Sequence, residues 1–408
     1  MSIQVTEPAP KPDFVATVLT VTLVLAVAVY TVTYDHIPAA RTPLASLMAA
    51  QSLLLAFFAF LTNSRRAIPL MIALLVVLGI TAALQWAEIP QDFTPLLRYL
   101  TAIAGMFAIH MTRLPNLMRY ISYLGMAVIA YAGYVTETGG PFFYAGTVRT
   151  WPFWSGLANT SFFIAALLLV IAVNPMKKFF KVLWVGAGLY VLAGYGAVTA
   201  ILMVAFFFAG WYFLYRQWNR IALFAMGGIA VVGGILFRNA NSVAGADIGS
   251  LGVGAIGSGR VDSWAGRLVE FVDRDFATQM LGRGPYSDYQ VTELWYWAEK
   301  NAHSDLVTIL MEFGIIGFVA IVGLWISAYR RTSPLGQVAL LSIALGAMAS
   351  NTFIDRPGVA IGWGLVLYAC DRHTVRPRPT RRERIKPPRR VKLAPAYAHL
   401  EKRLQGVR

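Results

Sequence analysis

Charge is what this sequence has least of. Only 13% of its 408 residues are Asp, Glu, Lys or Arg, against about a quarter in a soluble globular domain. That deficit excludes an ordinary water-facing surface. Cysteine is scarcer still. Cys370 is the single one, so an internal disulfide and a thiolate metal cluster are both excluded. There are five histidines, and no His, Asp or Glu spacing matches a metal-ligand pattern. Acidic residues number 20 against 35 Lys and Arg, so the chain is basic, but unevenly so. Residues 372–408 hold 13 Lys and Arg against two acids, Glu383 and Glu401. No folded nucleic-acid-binding module accompanies that charge, so nucleic acid is not an expected partner. The bland reading is a basic cytoplasmic tail that fixes topology and touches anionic membrane lipids.

What the chain has in excess is apolar length: 57% of it is hydrophobic. Repeated apolar runs of about 20 residues predict membrane-spanning helices rather than one large buried core. Twelve are expected, over 14–34, 43–62, 67–86, 95–111, 116–135, 153–174, 182–196, 198–215, 221–237, 305–329, 334–350 and 356–371. Residues 182–215 are too long for one crossing of a core about 30 Å thick, and Gly194-Tyr195-Gly196 offers a turn. Positive charge follows every even-numbered span: Arg65 and Arg66, Arg113 and Arg119, Lys177, Lys178 and Lys181, Arg216 and Arg220, Arg330 and Arg331, then the tail. That alternation places both termini in the cytoplasm. The polar, Pro-rich start at 1–13 has no cleavable-signal pattern, so the first span is expected to stay. The expected organisation is a cytoplasmic segment 1–13, spans over 14–237, an outer loop 238–304, spans over 305–371, and the tail 372–408.

The loop is the one long stretch between apolar spans. Its first part, 239–259, is rich in Gly, Ala and Ser. From Val261 to Met280 the pattern turns helical, with Trp264, Leu268, Phe271 or Val272, and Phe276 recurring at helical spacing. Asp262, Arg267, Glu270, Asp273 and Arg274 fall largely elsewhere. This predicts an amphipathic helix on the membrane surface or against the bundle. Gly282-Arg283-Gly284-Pro285 breaks it. Tyr289, Trp295, Tyr296 and Trp297 follow, aromatics that suit the headgroup layer and can also stack on sugar rings.

His303 stands where the loop meets span ten. Alone, such a histidine reads as an interfacial or capping residue as readily as a catalyst. Its neighbours favour chemistry. Arg260 lies in the same loop, Arg283 sits between two glycines, and Asp305 and Glu312 follow on the helix. A carboxylate two turns into an apolar span is costly unless it meets a cavity or a partner. One imidazole with several guanidinium groups suits a reaction whose leaving group is a diphosphate.

These residues resemble the O-antigen ligase and polymerase superfamily of bacterial membrane proteins. The likeness rests on Ser258-Gly259-Arg260 with Trp264, Gly282-Arg283-Gly284, His303-Ser304-Asp305-Leu306, Glu312 and Gly314-Ile315-Ile316-Gly317. Arg149 and Asn159 resemble an earlier outer turn and the helix after it. The motifs cover roughly 149–317; the first four spans match only in being hydrophobic. The resemblance implies an all-α polytopic protein of the membrane-embedded C type of glycosyltransferase, in the bacterial inner membrane. It implies an undecaprenyl-diphosphate-linked oligosaccharide donor, a glycan or lipid A-core acceptor, no cofactor, and inversion without a metal. His303 would activate or orient the acceptor hydroxyl and Arg260 would hold the diphosphate, with Arg283, Arg149, Arg238, Trp264 and Glu312 as substrate-binding residues. Other envelope-polysaccharide assembly proteins are possible partners.

Two departures stand out. Ser304 replaces an Asn after the histidine. The region Gly194-Tyr195-Gly196-Ala197 has no arginine where the family often has Ser-Arg-Gly, which favours polymerisation over ligation. Transfer to a protein hydroxyl is a smaller alternative. The rival outside catalysis is a precursor flippase or transporter, and a non-catalytic scaffold comes after it. A coupled carrier would be expected to carry mid-membrane charges on several helices, whereas Arg98 and Glu312 are almost the only ones here.

Overall fold

A computed structural model describes residues 14–33, 41–87, 89, 93–144, 147–150, 152, 157–215, 260–290, 301–354 and 356–373. The expected span 221–237, Arg238, residues 239–259 and the aromatics of 291–300 lie outside them. The described residues are mostly helical, and among them four helices are long and apolar enough to cross a membrane: Phe14–Thr31, Pro43–Thr62, Ser64–Trp86 and Asp305–Arg331. Shorter apolar helices cover Asn159–Val173, Val198–Leu214 and Pro334–Ala349. This is the helical architecture of a membrane protein.

In chain order the helices are α1 (Phe14–Thr33), α2 (Arg41–Thr62), α3 (Ser64–Trp86), α4 (Phe93–Met111), α5 (Leu117–Thr138), α6 (Leu157–Val173), α7 (Lys178–Gly194), α8 (Val198–Tyr215), α9 (Arg260–Val272), α10 (Phe276–Leu281), α11 (Asp305–Arg331), α12 (Pro334–Ala349) and α13 (Pro357–Arg372). The turn expected near Gly194 falls between α7 and α8, where Gly196 takes φ +60°. The outer turn expected around Arg149 holds a hairpin: β1 (Pro141–Tyr144) pairs antiparallel with β2 (Thr147–Thr150), Phe142 opposite Arg149.

At the centre α4 lies against α13, and both are buried along nearly their whole length. Small residues permit the approach: a Cβ on Gly364 would stand 2.4 Å from the Gly105 carbonyl oxygen. Without a hydrophobic drive between helices in lipid, such close backbone packing is what holds spans together. Around this pair α2 packs on α4, α6 on α13, α3 on α11 and α8 on α12. The apolar residues left exposed, such as Leu75 and Val319, sit on the outer helices, where lipid would cover them.

The helix expected over 261–280 is two helices. The first ends at Val272, and Asp275 starts the second: its carboxylate accepts from the Thr278 N–H at 3.0 Å, as a helix N-cap does. The orientation of α9 also differs from the apolar pattern. Trp264, Arg267, Phe271 and Arg274 face the bundle, while Leu268, Val269, Val272 and then Phe276 point outward. Specific partners on α11 and in the following turn, described next, decide the facing.

Candidate functional site

The site is built where the loop meets the start of α11. That helix is broken: Gly314 has φ +61° and ψ −166°, a conformation open essentially only to glycine. The break leaves carbonyls of the preceding turn without helical partners, and the loop fills them. The Gly284 N–H donates to the Glu312 carbonyl at 2.8 Å, and Arg274 Nη1 donates to the Met311 carbonyl at 2.8 Å. Gly282 makes the fit possible, because a Cβ there would stand 2.2 Å from the Glu312 carbonyl oxygen. Non-helical backbone at this depth is tolerated only when protein satisfies it in this way.

Asp288 ties the remaining pieces together. It is fully buried, and its Oδ2 accepts from the Ala302 N–H at 2.8 Å and from the Thr308 hydroxyl at 2.8 Å. Its Oδ1 pairs with Arg267 Nε at 3.1 Å, and its carbonyl accepts from Arg267 Nη2 at 2.9 Å. One carboxylate thus joins α9, the 286–288 turn, the segment before α11 and α11 itself. Burial pushes its pKa above the usual carboxylate value, against the Ala302 N–H and the Arg267 charge, which pull it down.

His303 sits in this frame with φ +53°, one of three non-glycine residues with positive φ among those described. Its N–H donates to Asn301 Oδ1 at 3.2 Å, and Asn301 Nδ2 donates to the Tyr289 hydroxyl at 3.3 Å. Its side chain is half-buried. Trp264 Nε1 donates to the Ala302 carbonyl at 2.7 Å, which fastens α9 beside His303. Arg260 is the first residue of α9, four before Trp264. The fold therefore brings α9, the helix that Arg260 begins, to the backbone beside His303.

The other residues singled out by sequence are placed as follows. Arg283 is half-exposed and pairs with Glu270 at 3.0 Å. Glu270 also meets Arg274 at 3.0 Å and Arg267 at 3.6 Å. Burial raises the Glu270 pKa, but the Arg274 hydrogen bond and the three guanidinium charges outweigh it and hold the carboxyl below its usual value. Glu312 is fully buried under the loop, its Oε1 accepting from the Asp288 N–H at 3.4 Å. Arg149 lies against the turn between α7 and α8: its Nε is 3.2 Å from where a Cβ on Gly196 would be. Arg238 lies outside the described residues.

Asp305 is spent on architecture. Fully buried, it accepts from the Thr352 N–H at 2.7 Å, the Thr352 hydroxyl at 2.8 Å, the Phe353 N–H at 3.1 Å and the Ile354 N–H at 3.3 Å. This fixes the turn that leads to Arg356, whose guanidinium stands 5.8 Å from the Phe162 ring centroid. Sequence reasoning passed over Arg356 and Asp288. Arg356 carried a signal, a basic residue on the side of the bundle where basic residues are sparse. Asp288 carried none, since nothing in Tyr286-Ser287-Asp288 marks that acid as buried.

Among the described residues, no group of three or more His, Cys, Asp or Glu side chains could hold a metal ion. No family model matches this chain, and no curated protein matches it.

Proposed function

We propose that this chain is a membrane-embedded glycosyltransferase of the O-antigen ligase and polymerase kind. It has twelve spans and the C-type architecture, with both ends in the cytoplasm of a bacterium and the site on the outer face of the inner membrane. It transfers or polymerises undecaprenyl-diphosphate-linked oligosaccharide. The observation that carries the reading is the latch around His303. A loop threaded into a broken helix holds a strained histidine at its exit, and Trp264 ties α9, the helix that Arg260 begins, to the backbone beside it.

In the proposed reaction an acceptor hydroxyl attacks the anomeric carbon. A new carbon–oxygen bond forms as the bond to the diphosphate oxygen breaks, and the electron pair leaves with the lipid diphosphate. His303 takes or orients the acceptor proton, and Arg260 meets the charge that grows on the leaving group. The reaction is inverting and metal-independent, as the resemblance implies. Arg149 supports the reading from another direction. Its guanidinium lies against Gly196, in the turn where the family carries an arginine and this sequence has none. Polymerisation remains favoured over ligation to lipid A-core.

Purified protein in lipid nanodiscs, given a synthetic undecaprenyl-diphosphate oligosaccharide and a glycan acceptor, should yield longer glycan and free undecaprenyl diphosphate. His303→Ala and Arg260→Ala should each lower the rate about 100-fold or more, with normal membrane insertion. Intact donor in the presence of a competent acceptor would sink the enzyme reading. Wild-type product yields and lengths from both variants would sink the site.

A further inference from the structure

Arg98 lies in the second turn of α4, one of the two central buried helices, where a charge is costly unless it serves a partner or a ligand. Its Nη1 donates to the Tyr286 hydroxyl at 2.5 Å, and its guanidinium carbon lies 5.7 Å from the Tyr286 ring centroid. Tyr286 is the second strained residue of the site, with φ +72°, a conformation that a bulky side chain rarely adopts. Its ring stacks on Tyr289, centroids 4.2 Å apart and planes 9° from parallel. Tyr289 accepts from Asn301, and Asn301 accepts from the backbone of His303. A guanidinium, two phenols, a carboxamide and the backbone N–H of His303 thus form one continuous chain, with strained backbone at Tyr286 and at His303. Such strain persists only where the surroundings over-determine it, and it gathers at functional sites.

We propose that Arg98 is a phosphate-binding residue of this site, taking an oxygen of the lipid diphosphate, and that the Tyr286–Tyr289 stack sets the distance between that cation and His303. The inference rests on the function proposed above. As the bond from the anomeric carbon to the phosphate oxygen breaks, the electron pair stays on that oxygen, and the acceptor's proton goes to His303. Arg98 then faces the phosphate end of the reaction while His303 faces the acceptor end. A planar guanidinium fork matches phosphate geometry, which a lysine does not. The position also suits a lipid diphosphate, because Arg98 sits near the start of α4 and meets the loop at Tyr286.

The test uses the full chain in nanodiscs and three probes: undecaprenyl diphosphate, inorganic pyrophosphate, and phosphatidylglycerol in the disc. Arg98→Gln should raise Kd for undecaprenyl diphosphate and KM for the oligosaccharide donor tenfold or more. His303→Ala should lose turnover and keep that Kd. Arg98→Lys should fall between wild type and Arg98→Gln, and it decides the matter if Arg98→Gln does not fold, because an unchanged Kd in the lysine variant overturns the proposal. Unchanged Kd and KM in a folded Arg98→Gln protein overturn it too. So does a loss confined to phosphatidylglycerol, which would make Arg98 a headgroup anchor, or a loss confined to pyrophosphate. If wild type transfers glycan but Arg98→Gln is normal, only the role of Arg98 falls. If wild type neither transfers nor binds undecaprenyl diphosphate, the function itself falls.

Discussion

The two ends of α11 are held by different means. At the Arg331 end, side chains satisfy ordinary helix termini. Asp371 accepts from the Ser333 N–H at 2.8 Å, the Ser333 hydroxyl donates to the Cys370 carbonyl at 2.9 Å, and Arg372 donates to the Thr112 carbonyl at 2.8 Å. The one positive-φ side chain near that end is Asn116, a residue type that tolerates the left-handed region. At the Asp305 end the helix is broken within three turns, Tyr286 and His303 take positive φ, and Arg267, Arg274, Asp288, Asp305 and Glu312 are buried. Capping would have been enough to end a helix. The extra charges and strain fix the backbone around His303, and stability is spent there on geometry.

The sharpest way to break that contrast is Gly314→Ala. The new Cβ would meet the Met280 carbonyl oxygen at 2.4 Å and the Gly282 nitrogen at 2.6 Å, at a φ that alanine resists. A loss of about 3 kcal/mol or more is expected, read as a collapse of the melting temperature in detergent. Gly323 lies in the same helix with nothing within 4 Å of its Cβ position. Gly323→Ala should be neutral or gain roughly 0.5–1 kcal/mol, since only the entropy of glycine changes. Equal effects at the two positions would mean that the break is not held by the loop.

How much of this was legible beforehand follows from what hydropathy averages. The long helices were visible because an apolar run of span length has few other fates. The turn at Gly194-Tyr195-Gly196 was visible because the run was too long for one crossing. The break at Gly314 was not, because one glycine in an apolar run changes a window average by almost nothing, and its partner Gly282 lies 32 residues earlier. The facing of α9 was misjudged for a related reason. Its apolar residues do recur at helical spacing, but Arg267 finds Asp288 and Arg274 finds the freed Met311 carbonyl, and these contacts outweigh burial of an apolar ridge. Arg98 was noticed as an intramembrane charge, but its link to the site runs through Tyr286, 188 residues away. His303 and Arg260 stood out by motif. The sequence held no sign of the carboxamide and carboxylate that position the backbone around His303.

A smaller effect separates the two ends by pH. Glu270, gripped by three arginines, has its carboxyl held below the usual value. Its contribution is therefore present above about 4.5, the value of the free side chain, and is lost as pH falls through the lower folded value. Asp288 runs the other way. Burial raises its pKa, so its contribution is full below about 3.8 and is lost as pH rises through the folded value. At neutral pH Glu270 therefore adds to the stability of the loop. Glu270→Gln should lower the melting temperature at pH 7 and flatten the fall that wild type shows below pH 4.5. A variant that melts in parallel with wild type from pH 7 to pH 3 would remove Glu270 as the clamp of this end.

The smallest effect belongs to the outward side of α9, and it tests whether the inward arginines set the helix's orientation. Val272 is 70% exposed and Phe271, its neighbour in sequence, is 8% exposed. If the apolar pattern alone oriented the helix, with Leu268 and Phe276 inward, Val272 would pack inward as readily as Phe271 and its substitution would cost as much stability. With Arg267 and Arg274 facing the bundle, Phe271 is the side chain held between them, and Arg274 lies 5.7 Å from its ring centroid. Phe271→Ala should then cost about 3–5 kcal/mol, whereas Val272→Ser should stay within about 0.5 kcal/mol in detergent, because its side chain is mostly exposed. Matched losses in melting temperature would turn α9 over and detach Trp264 from the backbone beside His303.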